Sequence, residues 1–341
     1  MIEKMCEEIA LRAAYLNEKK IGSIYFGGGT PSILKQSELE QLFETINIYF
    51  SYNLNTEITL EANPDDISIE KIKVWKAVGI NRFSVGLQSF KPEDLKWMNR
   101  AHQVADGFAS IQMLKSEGVE NISVDLIYGL PDLSNYDWEQ HLQQVVDLNV
   151  PHISAYCLTV EPKTALNRLV KRGSLSPANE EAQENQFLKM RKMLGDQGFQ
   201  HYEISNFALP EREAVHNANY WKGVPYLGIG PSAHSFDGKT RRWNISNNSI
   251  YIKSVGVNEK WYEEEVLTEK DQWNETILTG LRTSWGISIE SLQKNAFYNS
   301  EIKKEIEQMI DFGLAEIHSG FLQLTTNGML QADALASKLF V

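Results

Sequence analysis

The chain has 341 residues, 42% of them hydrophobic and 23% charged, a globular balance that excludes disordered and collagen-like proteins. Lysine and arginine total 33 against 45 aspartates and glutamates, a formal net charge of −12, and a general nucleic-acid binder would need a basic face to offset that field. No basic segment followed by an apolar core opens the chain, and no apolar run approaches the roughly 18 residues that span a bilayer, so the reading is a cytoplasmic protein that does not cross a membrane.

Met1 to Lys20 places Ile2, Met5, Cys6, Ile9, Ala13 and Leu16 at spacings of three and four, the stripe of an amphipathic helix. Short β-rich runs follow at Ser23 to Phe26, Glu57 to Leu60, Arg82 to Val85, Ile122 to Ile127, His152 to Leu158 and His201 to Ile204. Helix-like stretches lie between them at Ser37 to Phe50, Ser68 to Val78, Gln103 to Glu117 and Tyr136 to Leu148. Strand then helix, repeated, predicts parallel strands joined by crossovers, either a doubly wound sheet or a barrel, with ligands at the carboxyl ends of the strands. From about Trp261 the pattern turns helical, over Lys270 to Leu281, Ile289 to Asn295 and Glu301 to Phe312. A hairpin follows, Leu314 to Ile317 with Phe321 to Leu324, and then a helix from Asn327. Helices with a small β-wing suggest a winged-helix module. Residues 262–341 hold 6 basic and 13 acidic side chains, 6 − 13 = −7, a charge that opposes a DNA-reading helix.

Polar residues sit where those strands end. Gly27-Gly28-Gly29-Thr30-Pro31 is a backbone able to bend sharply and expose its N–H groups, and it matches neither the Walker A nor the dinucleotide-binding spacing. A tight turn, or a phosphate loop in an ordinary barrel enzyme, are its alternatives. Glu61 is placed to accept hydrogen bonds from a ligand amine or hydroxyl, and Gln88 and Asp125 occupy equivalent positions on later strands. Asp125 interrupts an apolar run and needs a partner, basic side chain or ligand; Arg100 is a candidate for that partner or for a ligand carboxylate. His216, in His216-Asn217-Ala218-Asn219-Tyr220-Trp221, sits beside aromatics in a manner suited to axial ligation of heme, with an ordinary hydrogen-bonded histidine as the alternative. Cys6 and Cys157 are too few for a disulfide scaffold and too far apart for a local metal spacing.

In this order GGGTPS (27–32), EANP (61–64), GLQSF (86–90), DLIYGLP (125–131), HYEISNFA (201–208), HNANYW (216–221) and LGIGPSAHSF (227–236) closely resemble the radical S-adenosylmethionine (radical SAM) enzymes of the oxygen-independent coproporphyrinogen III oxidase family. The likeness is strongest to the shorter heme-chaperone (HemW-like) branch and runs essentially the whole chain. It implies an incomplete parallel (β/α) barrel of radical SAM type over 1–240, lacking its first strand, a connecting segment over 241–261, and a smaller C-terminal helical, winged-helix-like domain over 262–341. By the same matching Gly28, Gly29 and Thr30 receive the amino-acid end of S-adenosyl-L-methionine, Glu61, Gln88, Arg100 and Asp125 fall on further contacts to it, and His216 is the candidate heme ligand.

One departure is large. The family opens with a strand and a Cys-x-x-x-Cys-x-x-Cys loop holding a 4Fe-4S cluster, and this chain starts in what matches the helix after that loop. Neither Cys6 nor Cys157 replaces it. The expectation is a sequence that begins at an internal methionine of a longer protein, with gene truncation or loss of radical chemistry as rivals, and an open sheet edge where the first strand would pair. The resemblance implies heme delivered to an acceptor protein, with an electron donor as a further partner, no nucleic acid, and room for transient membrane association. Oxidative decarboxylation of porphyrinogen propionates and a cluster-free, non-catalytic tetrapyrrole binder are the alternatives.

Overall fold

The structure is a computed structural model and describes residues 1–173, 178–257 and 260–341. The expected barrel region and connecting segment thus each include residues outside the described set. In chain order come α1 (Ile2–Arg12), β1 (Ser23–Phe26), α2 (Gln36–Tyr49), β2 (Glu57–Ala62), α3 (Ile69–Ala77), β3 (Arg82–Gln88), α4 (Pro92–Trp97), α5 (Val104–Ser116), β4 (Asn121–Tyr128), α6 (Asn135–Asp147) and β5 (His152–Cys157). Then follow α7 (Ala165–Lys171), α8 (Glu180–Asp196), β6 (Gln200–Glu203), β7 (Asn206–Ala208), α9 (Val215–Trp221), β8 (His234–Phe236), β9 (Thr240–Asn244), α10 (Asn248–Ser254) and β10 (Tyr262–Val266). The chain closes with α11 (Glu269–Leu281), β11 (Ile287–Ser288), α12 (Ile289–Lys294), α13 (Ser300–Asp311), β12 (Ala315–His318), β13 (Phe321–Leu324), α14 (Thr326–Met329) and α15 (Ala332–Lys338).

Every strand and helix expected from periodicity is present: β1 and β13 have the expected ends, most others shift by one to three residues, and the helix expected over Met1 to Lys20 ends at Arg12. The helices start where side chains can satisfy the first free N–H groups: Ser68 caps α3, Ser134 caps α6 and Thr268 caps α11. The principal sheet has seven strands in the order β1-β2-β3-β4-β5-β7-β6. Strands β2 to β5 are parallel, and β1 lies at one edge. Its far end departs from the expected repeat, because β7 runs antiparallel to both β5 and β6. Only two residues separate β6 from β7, enough for a hairpin and too few for the crossover that parallel strands need.

The chain divides into two compact units. One comprises Phe26–Ile33 and Thr59–Ala214. Its central strands alternate, with Leu60, Phe83, Val85, Leu87, Val124, Leu126, Ile153 and Ala155 buried on one face. Helices α3 and α5 cover that face, with the Trp75 ring 5.8 Å from that of Phe83 and Gly107 set against Leu87. Helix α8 was not among the helix-like stretches expected from the sequence; it buries Phe187, Met190 and Leu194 together with a polar residue, Gln186. That amide accepts from the Gly129 N–H at 2.8 Å and donates to the Leu133 carbonyl at 2.9 Å.

The other unit comprises Met1–Tyr25, Leu34–Ile58 and Val215–Val341. Its α1 does not bury only the expected apolar stripe: Glu8 and Arg12, one turn apart, are among its most buried residues. Glu8 accepts from Arg12 (3.0 Å), Asn244 (2.7 Å), the Tyr251 hydroxyl (2.6 Å) and the Gly230 N–H (2.9 Å), while Arg12 also donates to Ser235 at 2.8 Å. Four donors around one carboxylate meet the condition under which a buried charge is tolerated. A three-stranded antiparallel sheet, β10-β9-β8, contributes Asn244 and Ser235 to this network; it was not legible as strand, since β9 and β10 face each other with charges such as Arg242 and Glu264, 2.8 Å apart. At the carboxyl end, α11, α13 and α15 accompany the small sheet β11-β13-β12. Ile302, Ile306 and Met309 form the buried stripe of α13, and the Trp273 indole N–H donates to the Leu339 carbonyl at 2.8 Å.

Candidate functional site

The polar members of the central strands share the face opposite the helices. Register pairs Thr59 with Arg82, Glu61 with Ser84, Ser84 with Ser123, and Asp125 with Ser154. Side chains at paired positions project to one side of a sheet, so this face is a continuous polar surface. Within it Ser123 bonds His152 Nδ1 at 2.7 Å and Ser154 at 3.3 Å, and His152 Nε2 meets the Tyr202 hydroxyl at 2.8 Å. Burial, with Arg82 nearby, holds His152 well below the usual imidazole range, so it is neutral here.

Toward the carboxyl ends of the same strands lie the residues singled out from sequence; Glu61 and Gln88 stand at or next to the last residue of β2 and β3, whereas Asp125, expected at a strand end, lies inside β4, whose ladder continues to Tyr128. The glycine loop follows β1, and Gly28, at φ +76°, turns its N–H to Glu61 Oε2 at 3.2 Å. Side chains placed at Gly28 or Gly29 would meet nothing within 4 Å, so a ligand can approach this backbone closely. Thr30 is exposed on the same loop, which is pinned beyond it by Ser32 donating to Asp66 at 2.6 Å.

Asp125 takes hydrogen bonds from the Ser84 hydroxyl at 3.1 and 3.2 Å to its two oxygens, with Ser154 beside it. Burial pushes its carboxyl up to about 6, partly opposed by the serines and by Arg82, while Glu61 adds a like charge. Its protein partners are therefore hydroxyls. Arg100, the cation considered for that role, instead donates through Nη2 to Asn63 Oδ1 at 2.8 Å and to the Gly86 carbonyl at 3.2 Å.

Gln88 closes β3 with a left-handed backbone, φ +68°, just after a bulge that interrupts the ladder between Val85 and Gln88. Such a bulge re-aims the side chains that follow it. Gly86 makes the arrangement feasible: a Cβ there would lie 2.8 Å from Gln88 Nε2 and 3.2 Å from Arg100 Nη2. The structure thus brings together the glycine loop with Glu61, Glu61 with Asp125, and Gln88 with Arg100. The serines that support Asp125, Ser84 and Ser154, were missed from the sequence; their signal is the alternation in Arg82-Phe83-Ser84-Val85 and His152-Ile153-Ser154-Ala155.

His216 belongs to the other unit, on α9. Its Nδ1 lies 3.0 Å from the Ser23 hydroxyl, its ring stacks on Tyr25 with centroids 4.6 Å apart and planes 20° apart, and Tyr220 meets it edge-on at 5.0 Å. The carboxylate of Glu57 accepts the N–H groups of Val215 and His216, both at 2.9 Å. The sequence marked His216, Tyr220 and Trp221; Ser23, Tyr25 and Glu57 carried no signal of their own.

The residues present do not fit an iron–sulfur cluster. Cys6, on α1, donates to the Gln41 carbonyl at 3.7 Å, and Cys157, at the end of β5, has its thiol pushed up by burial. Among the described residues no group of three His, Cys, Asp or Glu side chains could hold a metal ion. The donor set on the polar face does fit an amino acid joined to a nucleoside, with an open N–H loop, two carboxylates, an amide and a guanidinium. Among the described residues no helix is long and apolar enough to cross a membrane.

Partial parallel barrel, glycine loop and strand-end carboxylates define a protein of radical SAM type. Residues 2–145 match the Radical SAM superfamily, and residues 267–330 match the HemN C-terminal domain. Coproporphyrinogen III oxidase HemN of Escherichia coli, described as a radical SAM enzyme, superposes with a TM-score of 0.82 over 99% of this chain and 82% of that one, at 23% identity, a likeness of fold. The heme chaperone HemW of Bacillus subtilis is 36% identical over 83% of this chain and 75% of its own length. That of Lactococcus lactis is 34% identical over 86% and 78%, and that of Mycobacterium tuberculosis H37Rv 32% identical over 97% and 84%. The chain belongs to the HemW family of radical SAM proteins.

Proposed function

We propose that this chain binds heme and S-adenosyl-L-methionine and delivers the heme to an acceptor protein, as a heme chaperone of radical SAM type. The observation that carries the reading is the joint presence, in a member of this family, of the strand-end donor set and a clamped histidine in the HNANYW segment. Gly28, Gly29 and Thr30 take the methionine end of the cofactor through backbone N–H groups and a hydroxyl. Glu61 accepts from its amine, Gln88 and Arg100 orient the polar groups between, and Asp125 accepts the ribose hydroxyls. When bound, S-adenosylmethionine supplies a sulfonium centre; the residues of this chain bind and orient it. Heme is the cargo, with His216 as its axial ligand. The radical SAM part spans 1–240 and the C-terminal domain 262–341, joined by 241–261. The acceptor, and an electron donor if one serves it, are protein partners. An oxidase reading has the support of fold likeness alone.

Hemin titration of the full chain, followed at the Soret band, and calorimetry with S-adenosylmethionine are the tests. His216→Ala is expected to lose or shift the band, and Asp125→Ala to weaken the cofactor by about tenfold, the low end of the value of one charge-assisted hydrogen bond. A wild-type Soret band in His216→Ala overturns the ligand assignment, and calorimetry showing no binding to the parent chain overturns the cofactor.

A further inference from the structure

His216 is held from four directions by groups of its own unit. Ser23 and Tyr25 are two residues apart on β1 and so project to the same face of that strand; the first engages Nδ1 at 3.0 Å and the second lies parallel to the ring at 4.6 Å. Tyr220, one turn further along α9, closes on the ring at 5.0 Å and 77°. Glu57, buried at the start of β2, fixes the backbone by accepting two consecutive N–H groups, those of Val215 and His216. A histidine on a short helix that is not held by neighbours samples several rotamers. This one is constrained at its backbone, at one ring face, at one edge and at one nitrogen.

We propose that Ser23, Tyr25 and Glu57 are positioning residues that preset His216 as a heme ligand, with the Ser23 hydroxyl fixing which ring nitrogen meets the iron. The inference rests on the reading of His216 as the axial ligand. Ligation through Nε2 requires the tautomer in which Nδ1–H donates to the Ser23 hydroxyl; in that tautomer the hydrogen bond increases the basicity of the imidazole toward iron. The stack on Tyr25 sets the plane of the imidazole. The ligand is thus oriented before heme arrives, and affinity gains from order already present in the free protein.

The test uses the full chain loaded with hemin, comparing the parent with Ser23→Ala, Ser23→Thr and His216→Ala by Soret titration, midpoint potential of the bound heme and ferric electron paramagnetic resonance. Ser23→Ala is expected to weaken heme about tenfold, the low end of what loss of a group supporting a metal ligand costs, and to raise the potential as the imidazole becomes a poorer donor. Ser23→Thr keeps the hydroxyl and restores both values. A parental affinity and potential in Ser23→Ala, alongside a lost band in His216→Ala, overturns the positioning role and leaves the ligand reading standing. A parental band in His216→Ala removes the ligand reading itself. Should Ser23→Ala fail to fold, Tyr25→Leu asks the same question: a changed resonance spectrum supports the clamp and an unchanged one overturns it.

Discussion

Asp125→Asn isolates the cost of keeping a carboxylate in the polar face. Asparagine has the same outline and still accepts from the Ser84 hydroxyl, so the change removes little besides the ionisable group. In the folded chain burial raises the Asp125 carboxyl from 3.8 to about 6. The folded state then binds a proton more tightly than the unfolded chain does. Its contribution to stability is fully present below the unfolded value and is lost as pH rises through the folded one. A rise of that size corresponds to about 3 kcal/mol in all, and by the same linkage relation about 1.4 kcal/mol of it disappears between about pH 5 and 8. Urea unfolding of both proteins at those two pH values, taken as a difference, cancels the other titrating groups. The parent should lose about 1.4 kcal/mol relative to Asp125→Asn as pH rises. A difference that stays flat, or a parent that gains stability with pH, refutes the assignment of the raised carboxyl to Asp125.

Gly86→Ala should cost the fold less than about 1 kcal/mol, because the atoms that its Cβ would meet are the mobile ends of Gln88 and Arg100, yet it should weaken S-adenosylmethionine severalfold by pushing both aside. Calorimetry beside a urea curve separates the two effects, and equal losses in both would contradict the placement. Arg12→Met strips the buried Glu8 of its charged partner and is expected to cost about 3–5 kcal/mol, read from the urea midpoint; a change below about 1 kcal/mol would mean that Asn244, Tyr251 and the Gly230 N–H satisfy Glu8 without it. S-adenosylmethionine affinity should fall as pH drops below about 6, since a protonated Asp125 offers one acceptor fewer; affinity independent of pH in the parent, with the same result in Asp125→Asn, would sink that role.

The strand-end residues were legible because their positions follow from local pattern alone. A β-run followed by Gly27-Gly28-Gly29, or by Gly86-Leu87-Gln88, announces both the strand and the region where its backbone leaves the sheet. Asp125 was conspicuous for interrupting an apolar run, but its partner could not be named, since hydroxyl and guanidinium are equally good solutions until the neighbouring strand is in register. The folded strands chose Ser84, while Arg100 donates to Asn63 and the Gly86 carbonyl instead. Glu8 and Arg12 were hidden for a related reason: on a helical wheel they read as a surface pair, and only the arrival of Ser235, Asn244 and Tyr251 from more than two hundred residues away makes their burial tolerable.

Local pattern was enough to specify the alternation of strand and helix through the barrel, the polar loop ends, and the family to which those motifs belong. These are matters of period and of residue type within a few positions, where steric and hydrogen-bonding preferences act without the rest of the chain. The antiparallel return of β7 beside β5, the charged sheet of β8 to β10, and the grip of Ser23, Tyr25 and Glu57 on His216 emerged only from the folded arrangement. Each joins residues distant in sequence, and the free energy of such a contact arises only when folding has removed water from both partners and set them within bonding distance.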